Sequence, residues 1–260
     1  MAMDASHFSM VGFQVDTHSE AGLGQSVQRH LAGCTPSDLP PPNLVCRVLD
    51  PSGGELTIGL VRGAEGQAEF ATLNPGFAGE GRAQVEITAD VSDAQWTPFE
   101  VTLSARFAGE ETPLVFDLAD PAQADRLKPG AKVAVDIAAF GFEPTVHADE
   151  AAFAKSQAKA KVRFASNFFI PTGLFAENLG GTLGADGRPT AYADFAGKVL
   201  KAELRTNRAG SGRFWWALVE TYGGATVDVV IDPRTIRRDP KPGAIVAGRF
   251  WLSARLAPER

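Results

Sequence analysis

The chain is short of most of the residues from which active sites are built. Its 260 residues include four histidines, His7, His18, His30 and His147, and no two are spaced to share a metal. Cysteine occurs twice, at Cys34 and Cys46, with neither a CxxC pair nor zinc spacing, which excludes a zinc module. Two such thiols are expected free, in a reducing and therefore cytoplasmic compartment. No apolar run approaches the ~18 residues of a membrane-spanning helix. Met1 to Gln14 lacks a basic leader followed by an apolar core, so no signal peptide is expected. Phosphate-loop, dinucleotide, HExxH, GxSxG and EF-hand patterns are all missing. Gly22-Leu23-Gly24 falls inside a predicted helix and is no nucleotide fingerprint. No catalytic residue, metal ligand or cofactor is assigned on these grounds.

What is present describes a turn-rich, soluble-type chain. With 27 Gly and 17 Pro, a β-rich fold is favoured over a helical bundle, and the length suits two domains. Phe8 to Val15 reads as a buried strand. Thr17 and Glu20 fit a capping box before a helix whose Leu23, Val27 and Leu31 form one apolar stripe, ended near Gly33. Thr35 to Pro42, with four prolines, reads as a rigid connection. Strands are predicted near 44–49, 55–61, 67–73 and 83–91, with turns at Pro51 to Gly54 and Asn74-Pro75-Gly76. Two more strands follow at Phe99 to Phe107 and Pro113 to Leu118. Asp149 to Lys161 suits a surface helix, its acids first and its lysines last. An aromatic stretch at 164–175 and a glycine-rich one at 176–190 lead to four strands: Ala196 to Thr206, Arg213 to Tyr222, Ala225 to Ile231 and Ala244 to Leu256.

Charge divides the chain unevenly. Residues 191–260 hold 12 Lys/Arg against 7 Asp/Glu, while residues 1–190 hold 13 against 24. The basic block also carries three of the four tryptophans, Trp215, Trp216 and Trp251. Cations interleaved with aromatics suit an anionic ligand, nucleic acid first among them. The expected organisation is an acidic α+β region over 1–163 (with 1–95 and 96–163 as submodules), a connection over 164–190, and a basic β domain over 191–260.

A local plan occurs twice. Asp120-Pro121 leads to Lys128-Pro129-Gly130-Ala131, and Asp232-Pro233 leads to Lys241-Pro242-Gly243-Ala244. Asp before Pro is a good helix start and Lys-Pro-Gly a good turn. The unit is strand, short helix, turn, long strand, and both convergent turn chemistry and duplication account for it.

The order strand, strand, strand, short helix, strand over Ala196 to Leu256 resembles the OB-fold, a small Greek-key barrel that often binds oligonucleotides. No fifth strand is visible unless the last run bends or residues before 196 supply one. The fold class expected is α+β, mainly antiparallel β, with an N-terminal helix-bearing β module and a C-terminal OB-like barrel. Period-2 reading turns Val246, Phe250 and Leu252 inward, with Leu200, Ala202 and Leu204, and leaves Lys201, Arg205, Arg249, Trp251 and Arg255 outside. In OB-fold binders the loop between the first two strands and the adjacent face grip the ligand, which here implicates Asn207–Gly212 with Arg205, Arg208 and Arg213. The candidate surface is Lys201, Arg205, Arg208, Arg213, Arg249, Trp251 and Arg255, for single-stranded nucleic acid, another anion or a protein partner. In the alternative, Arg249 and Arg255 pair with acids of the N-terminal region and Trp251 fills an interface, leaving a structural or interaction scaffold. A third reading starts from His7 to Val15, similar to the opening of glyoxalase-type modules. That resemblance implies His7 as a metal ligand with a later glutamate, for which Glu55, Glu69 and Glu86 are all open.

Overall fold

The computed structural model describes residues 6–142 and 144–258. The fold is α+β and dominated by strands. A 3-10 turn at Ser9–Val11 and helix α1 (Glu20–Leu31) precede strands β1 (Thr35–Asp38), β2 (Asn43–Leu49), β3 (Gly54–Arg62) and β4 (Ala68–Phe77). These four form an antiparallel sheet in chain order. Then come β5 (Ala83–Asp90), β6 (Thr102–Phe107), β7 (Pro113–Leu118), β8 (Lys132–Gly141), β9 (Thr145–His147), helix α2 (Glu150–Ser156) and β10 (Phe169–Ile170). The chain ends with β11 (Tyr192–Thr206), β12 (Arg213–Glu220), β13 (Thr226–Ile231) and β14 (Ile245–Leu256).

Several local expectations are corrected. Phe8 to Val15 is not a strand: the chain turns at Gly12 (φ 78°), and only Phe13 makes a β-bridge, to Ser211. Its apolar residues are there for burial, since Met10, Val11, Phe13 and Val15 are all core. A short apolar run cannot by itself separate the two outcomes. Helix α1 is capped by Ser19, which accepts from Gly22 N, rather than by Thr17. Asn74-Pro75-Gly76 is no turn but part of β4, and Pro36 lies in β1; both are edge strands, where a missing N–H is tolerated. Helix α2 stops at Ser156, and Asp149 caps it by accepting from Ala152 N.

The cysteines are not free. Cys34 and Cys46 form a disulfide with Cα atoms 5.4 Å apart, because β1 folds back along β2 and places Pro36 opposite Cys46. The bridge ties the end of α1 to the first sheet, and closing a loop of this length stabilises by about 3 kcal/mol in the chain-entropy account. Disulfides persist chiefly in oxidising compartments, so the ground for expecting a cytoplasmic location is gone. Among the described residues no helix is long and apolar enough to cross a membrane.

The eight strands β5–β8 and β11–β14 form a closed barrel. It is compatible with an OB-like architecture, and its pairing explains the missing fifth strand. Strands β11, β12 and β13 make an antiparallel meander, and β14 returns beside β11. Strand β13 is then joined in parallel by β8, which also pairs antiparallel with β14. The first unit mirrors this: β5, β6 and β7 form the meander, β8 returns beside β5, and β14 lies parallel to β7. Each unit thus borrows the fourth strand of the other. Strand pairing therefore runs across the boundary expected between residues 163 and 191.

The registers make the repetition quantitative. Both first strands carry a bulge, after Ile87 and after Val199. Gly130 (φ 89°) donates to Ile87 O and Ile87 N donates to Ala131 O, while Gly243 (φ 88°) donates to Val199 O and Val199 N donates to Ala244 O. Following the ladders outward, Leu114 maps onto Val227 and Asp117 onto Val230. The parallel pair Asp117–Ser253 then maps onto the parallel pair Val230–Phe140. Ala139 pairs with Leu252, its own counterpart, which places a pseudo-two-fold axis between them. The expected short helix appears only once: Asp120 caps a 3-10 helix at Pro121–Arg126, whereas Asp232 holds a turn through Arg234 N.

Two cores flank the barrel wall. Val85, Leu103, Phe116, Ile137, Val219, Phe250 and Leu252 fill the interior. On the outside, Phe214, Trp216, Leu218, Ala138 and Phe140 are covered by Met10, Val11, Phe13, Leu56, Ile58 and Phe77. The adjacent Trp215 and Trp216 face opposite cores, as alternation requires.

Candidate binding sites

Sequence alternation identifies which β14 side chains leave the barrel, and the first sheet then covers several of them. Arg255 is 8% exposed and forks onto Glu55 at 2.6 and 2.5 Å, with a third bond to Phe77 O. Glu55 also meets Arg47, which reaches Asp120 at 2.9 Å, so four charges alternate along the join. The Trp251 ring packs on His7 and Phe140 at 4.6 and 4.7 Å, and its Nε1 donates to Asp117 at 2.5 Å. Arg249 is exposed but bonded to both Asp194 oxygens and Gly180 O. Lys201 pairs with Glu80 at 2.5 Å. Arg205 lies 3.9 Å over the Trp216 ring and donates to Glu203 and Ser52 O. The bulge after Val199 also leaves Leu200, expected inside, 39% exposed.

Arg208 and Arg213 differ from the other five. Both are exposed, and neither side chain has a partner among the described residues. Arg208 lies in the Asn207–Gly212 loop and Arg213 opens β12 beside it, and the shape of the loop is fixed from within. Asn207 donates to Val11 O and accepts from Gly210 N, both at 2.7 Å. Asp50 accepts from the N–H groups of Arg208 and Ala209. Burial opposes ionisation of Asp50, but these bonds and those from Ser52 outweigh it and hold its carboxyl below the usual range. Gly212 N donates to Gly12 O, so the backbones meet too closely for a side chain at Gly12. On one side of the loop lies a groove of about 530 Å³ lined by Phe13, Gln14, Ser211 and Arg213, with Asp232 and its partner Arg234. On the other, a groove of about 380 Å³ is lined by Asp50, Ser52, Arg208 and the Arg205–Glu203 pair.

A smaller cavity, of about 60 Å³, lies where the first sheet meets β7 and β14. Asp117 stands in its wall, accepting from Thr102 Oγ1 at 2.6 Å and from Trp251. Burial pushes the Asp117 carboxyl up to about 6, with the charge of Glu100 adding to the shift and the two hydrogen bonds opposing it. Asp117 had no place among the candidates, although an acid inside the apolar run Pro113 to Leu118 was a visible signal.

The histidine of the glyoxalase-type reading lies elsewhere. His7 precedes the 3-10 turn, packs on Phe142 at 4.3 Å, and burial lowers its imidazole to about 4. Glu55 pairs with Arg255 and Glu86 with Arg106, and Glu69 sits at the exposed start of β4, so none is brought to His7. Among the described residues no group of three potential metal ligands occurs. No known protein family matches this chain, and no curated protein is significantly similar to it.

Proposed function

We propose that this chain is a non-catalytic binding protein built on one closed barrel of two interlocked OB-like units, and that it takes an anionic ligand through the Asn207–Gly212 rim. The observation that carries this reading is the contrast among the seven expected residues. Arg208 in the fixed loop and Arg213 at its edge line open grooves, while the other five are engaged within the chain. The outer face of β12, a common gripping surface in OB-fold binders, lies under the N-terminal layer. Loops therefore replace the sheet as the contact surface. Short single-stranded nucleic acid is the first ligand to try, since each of these two arginines offers a cation, unpaired among the described residues, to a phosphate in an open groove.

Anisotropy titrations with labelled DNA and RNA oligomers at several salt concentrations test this. Single strands lose about 0.7 of log–log salt slope per neutralised phosphate, so two contacts give a slope of about −1.4. Arg208→Ala with Arg213→Ala should abolish that dependence, and Arg249→Ala should not. Absence of binding at about 50 mM salt removes nucleic acid as the ligand. The second reading, an interaction scaffold, draws on the Arg255–Glu55 pair and on the packing of Trp251 against His7, and would be favoured by that result; Arg249 pairs within its own block, with Asp194.

A further inference from the structure

We propose that the cavity between the first sheet and the barrel binds a primary ammonium group, the head of a small alkylamine or of a lysine side chain. Its walls carry two carboxylates, Asp117 and Glu100, and no Lys, Arg or His. Neither acid has an ion-pair partner among the described residues. Each Asp117 oxygen accepts a single bond, and Glu100 accepts one from Asn74 at 3.2 Å, so acceptor capacity remains on both. Ser253 also lines the cavity; it is 2% exposed, and its hydroxyl has no hydrogen-bond partner among the described residues. That hydroxyl faces the cavity with its hydrogen-bonding capacity free for whatever occupies the space beside it.

The chemistry of the wall selects the ligand. An anion would meet two like charges, and a neutral molecule would leave them uncompensated. A primary ammonium brings one positive charge and three donors, matching Asp117, Glu100 and Ser253. Phe99 and Trp251 complete the lining with apolar surface, against which the carbon next to the ammonium can pack. A volume of about 60 Å³ admits a head group and little more, since one water needs roughly 10–15 Å³ on the same measure. The site is separate from the rim and stands or falls independently of it.

Amide and indole NMR spectra of the full chain at neutral pH, titrated with n-butylammonium chloride, test the proposal. The expected result is a saturable shift of the Trp251 indole N–H with a dissociation constant of about 1 mM or tighter. Tetramethylammonium, which has the charge but no donors, should bind at least about tenfold more weakly. Nα-acetyl-lysine amide separates the two sources: binding equal to butylammonium identifies a lysine side chain, and binding of butylammonium alone identifies a free amine. Asp117→Asn should weaken binding at least about tenfold. Should that variant fail to fold, Glu100→Gln, at a half-buried position, should still weaken it about threefold or more. No saturable shift, equal responses to both ammonium ions, or unchanged affinity in Glu100→Gln would overturn the assignment and leave a cavity that holds water only.

Discussion

Arg255→Ala should destabilise the chain by about 3–5 kcal/mol, read from urea unfolding monitored by tryptophan fluorescence. The size follows from what is left behind. Glu55 is 4% exposed and would keep only Arg47, at 3.3 Å, in place of a bidentate fork at 2.6 and 2.5 Å. A buried carboxylate without its main partner retains the desolvation penalty and loses the compensation. Replacing the pair together, Arg255→Met with Glu55→Leu, should recover much of the loss, because apolar residues carry no such penalty. Arg249→Ala removes an ion pair on the same strand but at the surface, and should change stability by no more than about 1 kcal/mol. Equal effects at the two positions would contradict the placement of the first sheet over the end of β14.

The second large effect is expected at Phe250. Its side chain is fully buried, stacks on Phe195 at 4.1 Å and lies over Gly141 of the neighbouring strand β8 inside the barrel. Phe250→Ala should cost about 3–5 kcal/mol, the loss of buried area plus the cavity left behind. Because β14 belongs to both repeated units, the loss should lower one cooperative transition instead of splitting it into two. Calorimetry distinguishes these outcomes, since two resolved transitions would mean that the units fold separately.

Much of the secondary structure was legible because its signals are local. Alternation placed the four strands β11–β14 within a few residues of their observed ends, and Lys-Pro-Gly marked both turns that return the fourth strand. Pairing between distant segments leaves no such trace. The fifth strand of the second unit comes from Lys132–Gly141, and nothing near residue 191 announces it. The disulfide depends on β1 folding back along β2, which the prolines of Thr35 to Pro42 concealed. Alternation also told which β14 side chains leave the barrel, but not that Glu55 and Phe77 of another sheet would lie against Arg255. The charge partition of the chain is likewise explained in part by distance: Lys201 and Arg255 find their partners in Glu80 and Glu55, both before residue 100. Asp117 was overlooked because one acid in a strand carries no spacing pattern, and its setting needs Glu100, Thr102 and Trp251 brought together by the fold.

Interlocking of the two units can be measured by expressing residues 191–260 alone. Without β8 beside β13 and β14, and without Glu55 for Arg255, this fragment should give a collapsed, poorly dispersed amide spectrum and no cooperative unfolding. A well-dispersed spectrum with a sharp thermal transition would show that the basic segment closes its own barrel, and the shared-strand architecture would be wrong.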